Sequence, residues 1–271
     1  MSKIDYRHQT VIVTGASSGL GAEFARRLAR RGADLVLVAR RADRLENLAA
    51  ELTRAHGVTV TTIARDLGAP DAGRTLRAEL ESRGIHATGL VNNAGFGTHD
   101  AFTDEDPDRL QNMLALNISA LVDLSRAYVE PLSAADTGIL VNVASLLGHQ
   151  PIPYMSVYAA TKAFVLSFTE ALWEETRGTG LRVLAVNPGA MQTEFFDVAG
   201  SQSADFGTTR ATPEQVVTIA LDTLDRRSAP PSVITNGRSL TVLGRLLSRR
   251  HMVRFMGWLA RRSQPQLAGT R

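Results

Sequence analysis

The chain has 271 residues, 44% hydrophobic and 21% charged, a globular balance long enough for one large α/β domain with a full core. It has no cysteine, which excludes disulfides and thiolate metal sites. Its six histidines (His8, His56, His86, His99, His149, His251) form no i,i+3 or i,i+4 pair, so no metal centre is expected. The net charge of +3 hides an asymmetry: residues 226–271 hold 10 arginines and no acid, leaving 20 basic residues against all 27 acidic ones in the rest.

The N-terminus at Lys3 is expected to fray, and Met1 to Thr10 is polar. It has no signal-peptide pattern, and no apolar run is long enough to span a bilayer, so a cytoplasmic protein is expected. Apolar runs and helical patterns then alternate. Thr10–Thr14 reads as a buried strand, and Leu20–Arg31 as a helix stopped by Gly32. Asp34–Ala39 is the second strand, Ala42–His56 a charged helix, and Val58–Ala64 the third strand. Asp71–Arg83 is a helix, Gly89–Val91 a short fourth strand, and Asp106–Val129 one long helix. Ile139–Ala144, Leu181–Val186 and Ser232–Thr235 complete the strands, with helices at Tyr158–Arg177 and Pro213–Arg226. Strands apolar on both faces between helices indicate a doubly wound, Rossmann-type parallel sheet of about seven strands, covered on both faces. Residues 1–236 are expected to form this single domain, and 237–271 a basic helical appendage. The polar segment Phe195–Thr212 is expected to be a mobile loop at the mouth of a site.

Tyr158-Ala159-Ala160-Thr161-Lys162 places a phenol and an ammonium one helical turn apart. Only two of the 30 basic residues are lysines, Lys3 and Lys162, so this position calls for a compact charge rather than a guanidinium. A neighbouring cation favours phenolate and lowers a tyrosine pKa toward a useful range. By itself the pentapeptide is equally an exposed helix with an accidental pair.

Gly15, Ser17, Ser18, Gly19, Leu20 and Gly21 form a turn between the first strand and first helix. Glycines there let the backbone approach a pyrophosphate, which the helix N-terminus then holds. The same residues read as Gly15-x-Ser17-x-Gly19, the nucleophile turn of a serine hydrolase. That turn normally follows several strands, however, and here it follows the first. The second strand ends in Ala39-Arg40-Arg41, where an NAD enzyme would place an acid. Guanidinium suits a 2′-phosphate, so NADP(H) is expected over NAD(H).

With these motifs in order, the chain over about residues 8–236 resembles the short-chain dehydrogenase/reductase family. Asp66 and Leu67 after strand three belong to the pattern, as do Asn93, Ala94 and Gly95 after strand four. Asn117 follows in the long helix, then Ser145, Tyr158 and Lys162, and lastly Pro188, Gly189, Met191 and Thr193 after strand six. The resemblance implies an NADP(H)-dependent reductase or dehydrogenase acting on a small-molecule carbonyl or secondary alcohol. In it Tyr158 is the general acid, Lys162 lowers its pKa and holds the nicotinamide ribose, and Ser145 orients the carbonyl. Asn117 holds a water that relays protons to Lys162. Asp66 and Leu67 meet the adenine, Asn93 to Gly95 the adenosine ribose, and Pro188 to Thr193 the carboxamide. A homodimer or homotetramer through the two long helices is implied as well. The rivals are a non-catalytic NADPH-binding sensor and a hydrolase using Ser17.

In the tail, Leu243, Leu246, Leu247, Val253, Met256 and Leu259 approximate one helical stripe among arginines. It reads as a lid for a bulky or lipid-like ketone, a peripheral membrane contact, or a helix packed on the domain or across an interface. No nucleic-acid module is visible.

Overall fold

A computed structural model describes residues 4–191, 194, 210–237 and 247–263. Its strands are β1 (Thr10–Thr14), β2 (Asp34–Ala39), β3 (Val60–Ala64), β4 (Gly89–Asn92), β5 (Gly138–Val143), β6 (Leu181–Asn187) and β7 (Ser232–Ile234). All pair in parallel, in the order β3-β2-β1-β4-β5-β6-β7. The expected doubly wound sheet is therefore present.

The helices are α1 (Gly19–Arg30), α2 (Ala42–His56), α3 (Ala72–Ser82), α4 (Pro107–Leu114), α5 (Leu121–Ala134), α6 (Ser156–Glu175), α7 (Pro213–Leu224) and α8 (Arg249–Ser263). Alternate strand residues face opposite layers. Val11, Val13, Leu35 and Leu37 pack beneath Phe24 and Leu28 of α1, Leu48 and Leu52 of α2, and Val217 and Leu221 of α7. Ile12, Val36, Val38 and Leu140 pack on the other side against Leu76 and Leu80 of α3 and Leu124 and Leu132 of α5. Local signals set several helix ends. Gly57 closes α2 at φ 69°, and Thr212 with Gln215 forms a capping box over Pro213 at the start of α7.

Most expected boundaries lie within two residues of those observed, and the long helix and the tail differ from expectation. The N-terminus is anchored from Ile4 onward: Ile4 and Tyr6 are buried, Tyr6 hydrogen-bonds Asp225, and the Arg31 guanidinium lies over its ring. The single long helix is instead α4 and α5 joined through a π-helical segment, Ala115–Ala120, and it runs past Val129 to Ala134. Pro131 lacks the N–H that would reach the Ala127 carbonyl, and Arg77 donates to that carbonyl at 2.8 Å instead.

The tail differs as well. α8 begins at Arg249, so Leu247 lies outside it, and Leu247 and Val253 are exposed. Met252, Met256 and Ala260 are buried, and Met252 and Met256, with Leu259 half-buried beside them, pack with Met113, Ile152, Met155 and Tyr158. Leu243 and Leu246 lie outside the described residues, as do Thr193 and most of the Phe195–Thr212 segment. Met256→Ala is expected to weaken docking of α8 by about 2–4 kcal/mol, the range for truncating a buried methionine. Faster hydrogen exchange of α8 amides, ahead of those in the sheet, would register it.

Candidate active site

A cleft of about 940 Å³ opens at the carboxyl ends of the strands, where the strand order reverses between β1 and β4. At its β1 end lies the glycine turn. Gly15 adopts φ +65°, and a Cβ on Gly21 would stand 2.3 Å from the Gly15 carbonyl oxygen, so glycine is required at both positions. Thr14, which opens the glycine motif but had no role assigned from sequence, pins this turn to β4. Its hydroxyl donates to Val91 O and accepts from the backbone N–H groups of Asn93 and Ala94 at 2.9 and 3.0 Å. Asn93 donates its amide back to Thr14 O at 2.9 Å, so its side chain braces the turn. The first turn of α1 carries no side-chain cap, which leaves its amides available to an anion.

Gly15, Ser17, Ser18, Gly19, Leu20, Arg40, Arg41, Asp66, Leu67, Asn93, Ala94 and Gly95 all line the cleft. Asp66 accepts from Gly68 N at 2.9 Å, which shapes the loop after β3. Arg41 reaches across to the glycine turn: its guanidinium donates to Ser17 Oγ at 3.0 and 3.2 Å and to Ser18 Oγ at 2.7 Å. Ser17 therefore faces an arginine, and among the described residues no histidine lines the cleft. Arg41 also pairs with Glu194 at 3.2 Å, and Arg44 pairs with the same carboxylate at 2.8 Å. Neither Arg44 nor Glu194 was singled out from sequence, because neither belongs to a glycine or strand-end motif.

At the other end of the cleft stand Ser145, Tyr158 and Lys162. Ser145 follows β5 and opens a 3₁₀ turn, Leu146–His149, with its hydroxyl accepting from Leu147 N at 3.1 Å. A Cβ on Gly148 would stand 2.7 Å from the Lys162 carbonyl, so this glycine lets the Ser145 turn sit directly on α6. The Lys162 ammonium lies 5.8 Å from the Tyr158 ring centroid and donates to Val143 O at 2.8 Å. Asn117 is buried in the π segment, a distortion that often marks functional positions. Its amide donates to Phe96 O at 2.9 Å and Thr161 Oγ1 at 3.1 Å, and its oxygen accepts from Phe96 N at 3.1 Å. Asn117 and Lys162 flank Gly95, where a Cβ would stand 2.8 Å from Asn117 Oδ1 and 3.6 Å from Lys162 Nζ.

The expected lowering of the Tyr158 pKa by Lys162 is not what the geometry gives. Burial pushes the phenol up to about 12, with a hydrogen bond to Ser145 opposing. Burial also lowers Lys162 to about 8. Desolvation penalises both charged forms, and the ammonium is directed at the Val143 carbonyl rather than at the phenol oxygen.

After β6, Pro188, Gly189 and Met191 line the cleft. Pro188 O accepts from Leu146 N at 2.8 Å, and Gly189 N donates to Asn236 Oδ1 at 2.7 Å. Gln150, unremarked in the sequence, and Met256 of the tail stripe complete the wall, their amide and sulfur 3.9 Å apart. A buried amide ladder outside the cleft stiffens the strand ends: Asn92 donates to Ser125 and Asn142, and Asn142 to Thr169.

Comparison with known proteins agrees with this arrangement. The short chain dehydrogenase family model matches residues 9–204. Sulfoacetaldehyde reductase 2 of Chromohalobacter salexigens is 38% identical over 215 residues, spanning 78% of this chain and 84% of that protein. The very-long-chain 3-oxoacyl-CoA reductase of Anas platyrhynchos is 31% identical over 222 residues, 80% of this chain and 69% of that one. A short-chain dehydrogenase from Sphingobium yanoikuyae, solved in complex with NADPH, superposes with a TM-score of 0.78 at 36% identity, covering 88% of this chain and 92% of that one. From glycine turn to Tyr158–Lys162 pair, this chain belongs to the short-chain dehydrogenase family and is an oxidoreductase.

Proposed function

We propose that the protein is an NADP(H)-dependent carbonyl reductase, or the corresponding secondary-alcohol dehydrogenase. The observation that carries this reading is the continuity of one cleft from the Gly15–Gly21 turn and Arg41 to Ser145, Tyr158 and Lys162. The residues fit a dinucleotide: uncapped amides open α1, Gly15 and Gly19 line the cleft with Gly21 letting α1 close on the turn, and a guanidinium stands at the end of β2. When bound, the nicotinamide supplies a hydride for the carbonyl carbon.

The chain's own residues do the rest. Tyr158 donates its hydroxyl proton to the carbonyl oxygen as charge develops there. Its high pKa keeps the proton in place until then. Ser145 donates a hydrogen bond to the same oxygen and positions it. Lys162 stabilises the phenolate left behind and, with Asn117 beside Gly95, returns a proton from solvent through bound water. Met155, Leu147, Met256 and Phe96 wall the substrate end, so a carbonyl with apolar bulk fits, and α8 forms part of that wall as a lid. The named relatives, one acting on a small sulfonated aldehyde and one on very long acyl chains, leave the substrate class to experiment. Among the described residues no helix is long and apolar enough to cross a membrane. The buried stripe of α8 is turned inward, which favours the lid over membrane contact. Phe164 is exposed on α6 and stacks with Phe168 at 6.0 Å, which supports pairing of copies through this helix, with light scattering as the measurement.

The test is nicotinamide oxidation with NADPH and NADH in parallel, against small ketones, steroids and long-chain β-ketoacyl esters. NADPH-dependent turnover is expected; tight NADPH binding with no turnover on any carbonyl would favour the sensor reading. Reduction is also expected to decline as pH rises through about 8, where buried Lys162 releases its proton, and Lys162→Met should remove that limb from the kcat/KM profile. Between about 8 and its ordinary 10.5, Lys162 binds fewer protons folded than unfolded. Its contribution to stability therefore rises with pH across that window and is lost as pH falls through 8.

A further inference from the structure

We propose that Glu194 is an internal competitor for the ligand's 2′-phosphate, occupying the guanidinium of Arg41 that would otherwise read that group. This rests on the NADP(H) reading above and adds to it a residue that sets how tightly and for how long the cofactor is held.

Glu194 stands just beyond β6, 153 positions along the chain from Arg41. Both residues line the cleft, as do Ser17 and Ser18 at the glycine turn. Arg41 Nη1 meets Glu194 Oε2 at 3.2 Å, while Arg44 Nη1 meets Glu194 Oε1 at 2.8 Å. One carboxylate thus bridges two arginines of the β2–α2 corner, each oxygen taking one. A carboxylate and a phosphate monoester present the same chemistry to a guanidinium: paired anionic oxygens that accept from its N–H fork. The remaining Arg41 donors, Nε and Nη2, are committed to Ser17 and Ser18, which fixes the guanidinium across the mouth of the turn. Nη1 carries two N–H groups and Glu194 accepts from one of them, so a 2′-phosphate is left only the other unless it displaces the carboxylate.

Two dinucleotides then differ in what they must displace. A 2′-phosphate has to displace Glu194 or lie against its negative charge to engage Arg41, whereas a 2′-hydroxyl makes no claim on it. Glu194 therefore weakens NADP(H) specifically. It also stands ready to retake Arg41 when the phosphate leaves, which speeds release. Both pairs are partly solvent-exposed, with side chains 41–47% accessible, so their effect is modest rather than prohibitive.

The experiment is titration of the full-length chain with 2′,5′-ADP and 5′-ADP, followed by NADPH and NADH, for wild type, Glu194→Gln and Glu194→Asp. Glu194→Gln is expected to tighten 2′,5′-ADP and NADPH by about three- to tenfold, the scale of two exposed ion pairs. The same variant should leave 5′-ADP and NADH within about twofold and slow NADPH dissociation in stopped-flow fluorescence. Glu194→Asp, which retains the charge, should stay close to wild type. An unchanged or weakened 2′,5′-ADP affinity in Glu194→Gln would overturn the proposal, because it would make the carboxylate a bystander or a strap holding the bound ligand. Equal tightening of 5′-ADP and 2′,5′-ADP would overturn it too, since the effect would not be on the phosphate. Wild type that binds neither NADPH nor NADH would overturn the cofactor reading together with this one, whereas the first two outcomes leave that reading standing.

Discussion

Tyr158→Phe is expected to reduce carbonyl reduction by about 10²–10⁴-fold, the range for removing a positioned general acid. The substitution deletes one hydroxyl and leaves the ring where it packs, in the cluster of Ile152, Met155, Ala159, Met252 and Met256. Folding should therefore be little affected, and NADPH should bind within about threefold of wild type, because the lost group serves the reacting oxygen and not the dinucleotide. The loss should fall on kcat. Steady-state kinetics with NADPH, beside a direct binding titration, separates the two. Activity within tenfold of wild type would remove Tyr158 from the chemistry and leave Ser145 or a bound water as the proton source. The raised phenol pKa sharpens the expectation. A tyrosine held neutral up to about 12 is a donor throughout the working range, so its removal cannot be masked by choosing a different pH.

Arg41→Asp is expected to cost NADPH about 100-fold or more in affinity while NADH changes by less than about threefold. Charge-assisted hydrogen bonds to an ionised group account for much of this, and a carboxylate placed against a phosphate adds repulsion. The hydroxyls of Ser17 and Ser18 would also lose the donor that now bridges them, so part of the loss reflects a looser turn. Arg40→Asp is the companion variant. Arg40 lines the same cleft from the exposed side of the β2 end, and a larger swing there than at Arg41 would assign the phosphate to Arg40 instead. If neither variant moves the NADPH/NADH ratio, the 2′-phosphate is not read at this corner. Parallel titrations with both nucleotides decide the matter.

Much of the site was legible in the sequence because its parts are local. Gly15, Gly19 and Gly21 announce a turn wherever they occur after a strand. Tyr158 and Lys162 share a helix face by spacing alone. Arg40 and Arg41 follow a strand end at a fixed distance from the glycines. Each of these signals needs only a few neighbouring residues, and the sheet then collects them at one edge. Thr14, Asn142 and Gln150 gave no such signal, and Met256 gave only a place in the tail's apolar stripe. Their roles come from partners 27 to 106 residues away, and a threonine inside an apolar strand or a methionine in a basic tail looks the same whether or not such a partner exists. The π segment was likewise invisible, since its residues, Ala115–Ala120, are ordinary helix formers and the extra residue per turn is an accommodation to the packing around buried Asn117.

The pKa reasoning failed for a related cause. Spacing correctly placed Lys162 beside Tyr158, but spacing carries no information about solvent. In the folded chain both are buried, and desolvation outweighs their mutual charge effect, raising one and lowering the other. The tail shows the same limit. Its composition announced a helix with an apolar stripe and an arginine-rich remainder, but which face turns inward is set by what α8 packs against, the cluster of Met113, Ile152, Met155 and Tyr158.

The alternation of apolar runs with helical periods, the glycine turn and the strand-end residues thus determined by themselves a parallel, doubly wound sheet and the edge at which its chemistry gathers, because these follow from short-range sterics and periodicity. Only the tertiary structure decided which face of α8 lines the cleft, that burial lowers Lys162 to about 8, and that Glu194 meets Arg41 and Arg44 from about 150 residues away. Burial and long-range electrostatic contact arise from the folded geometry, and no local pattern of residues encodes them.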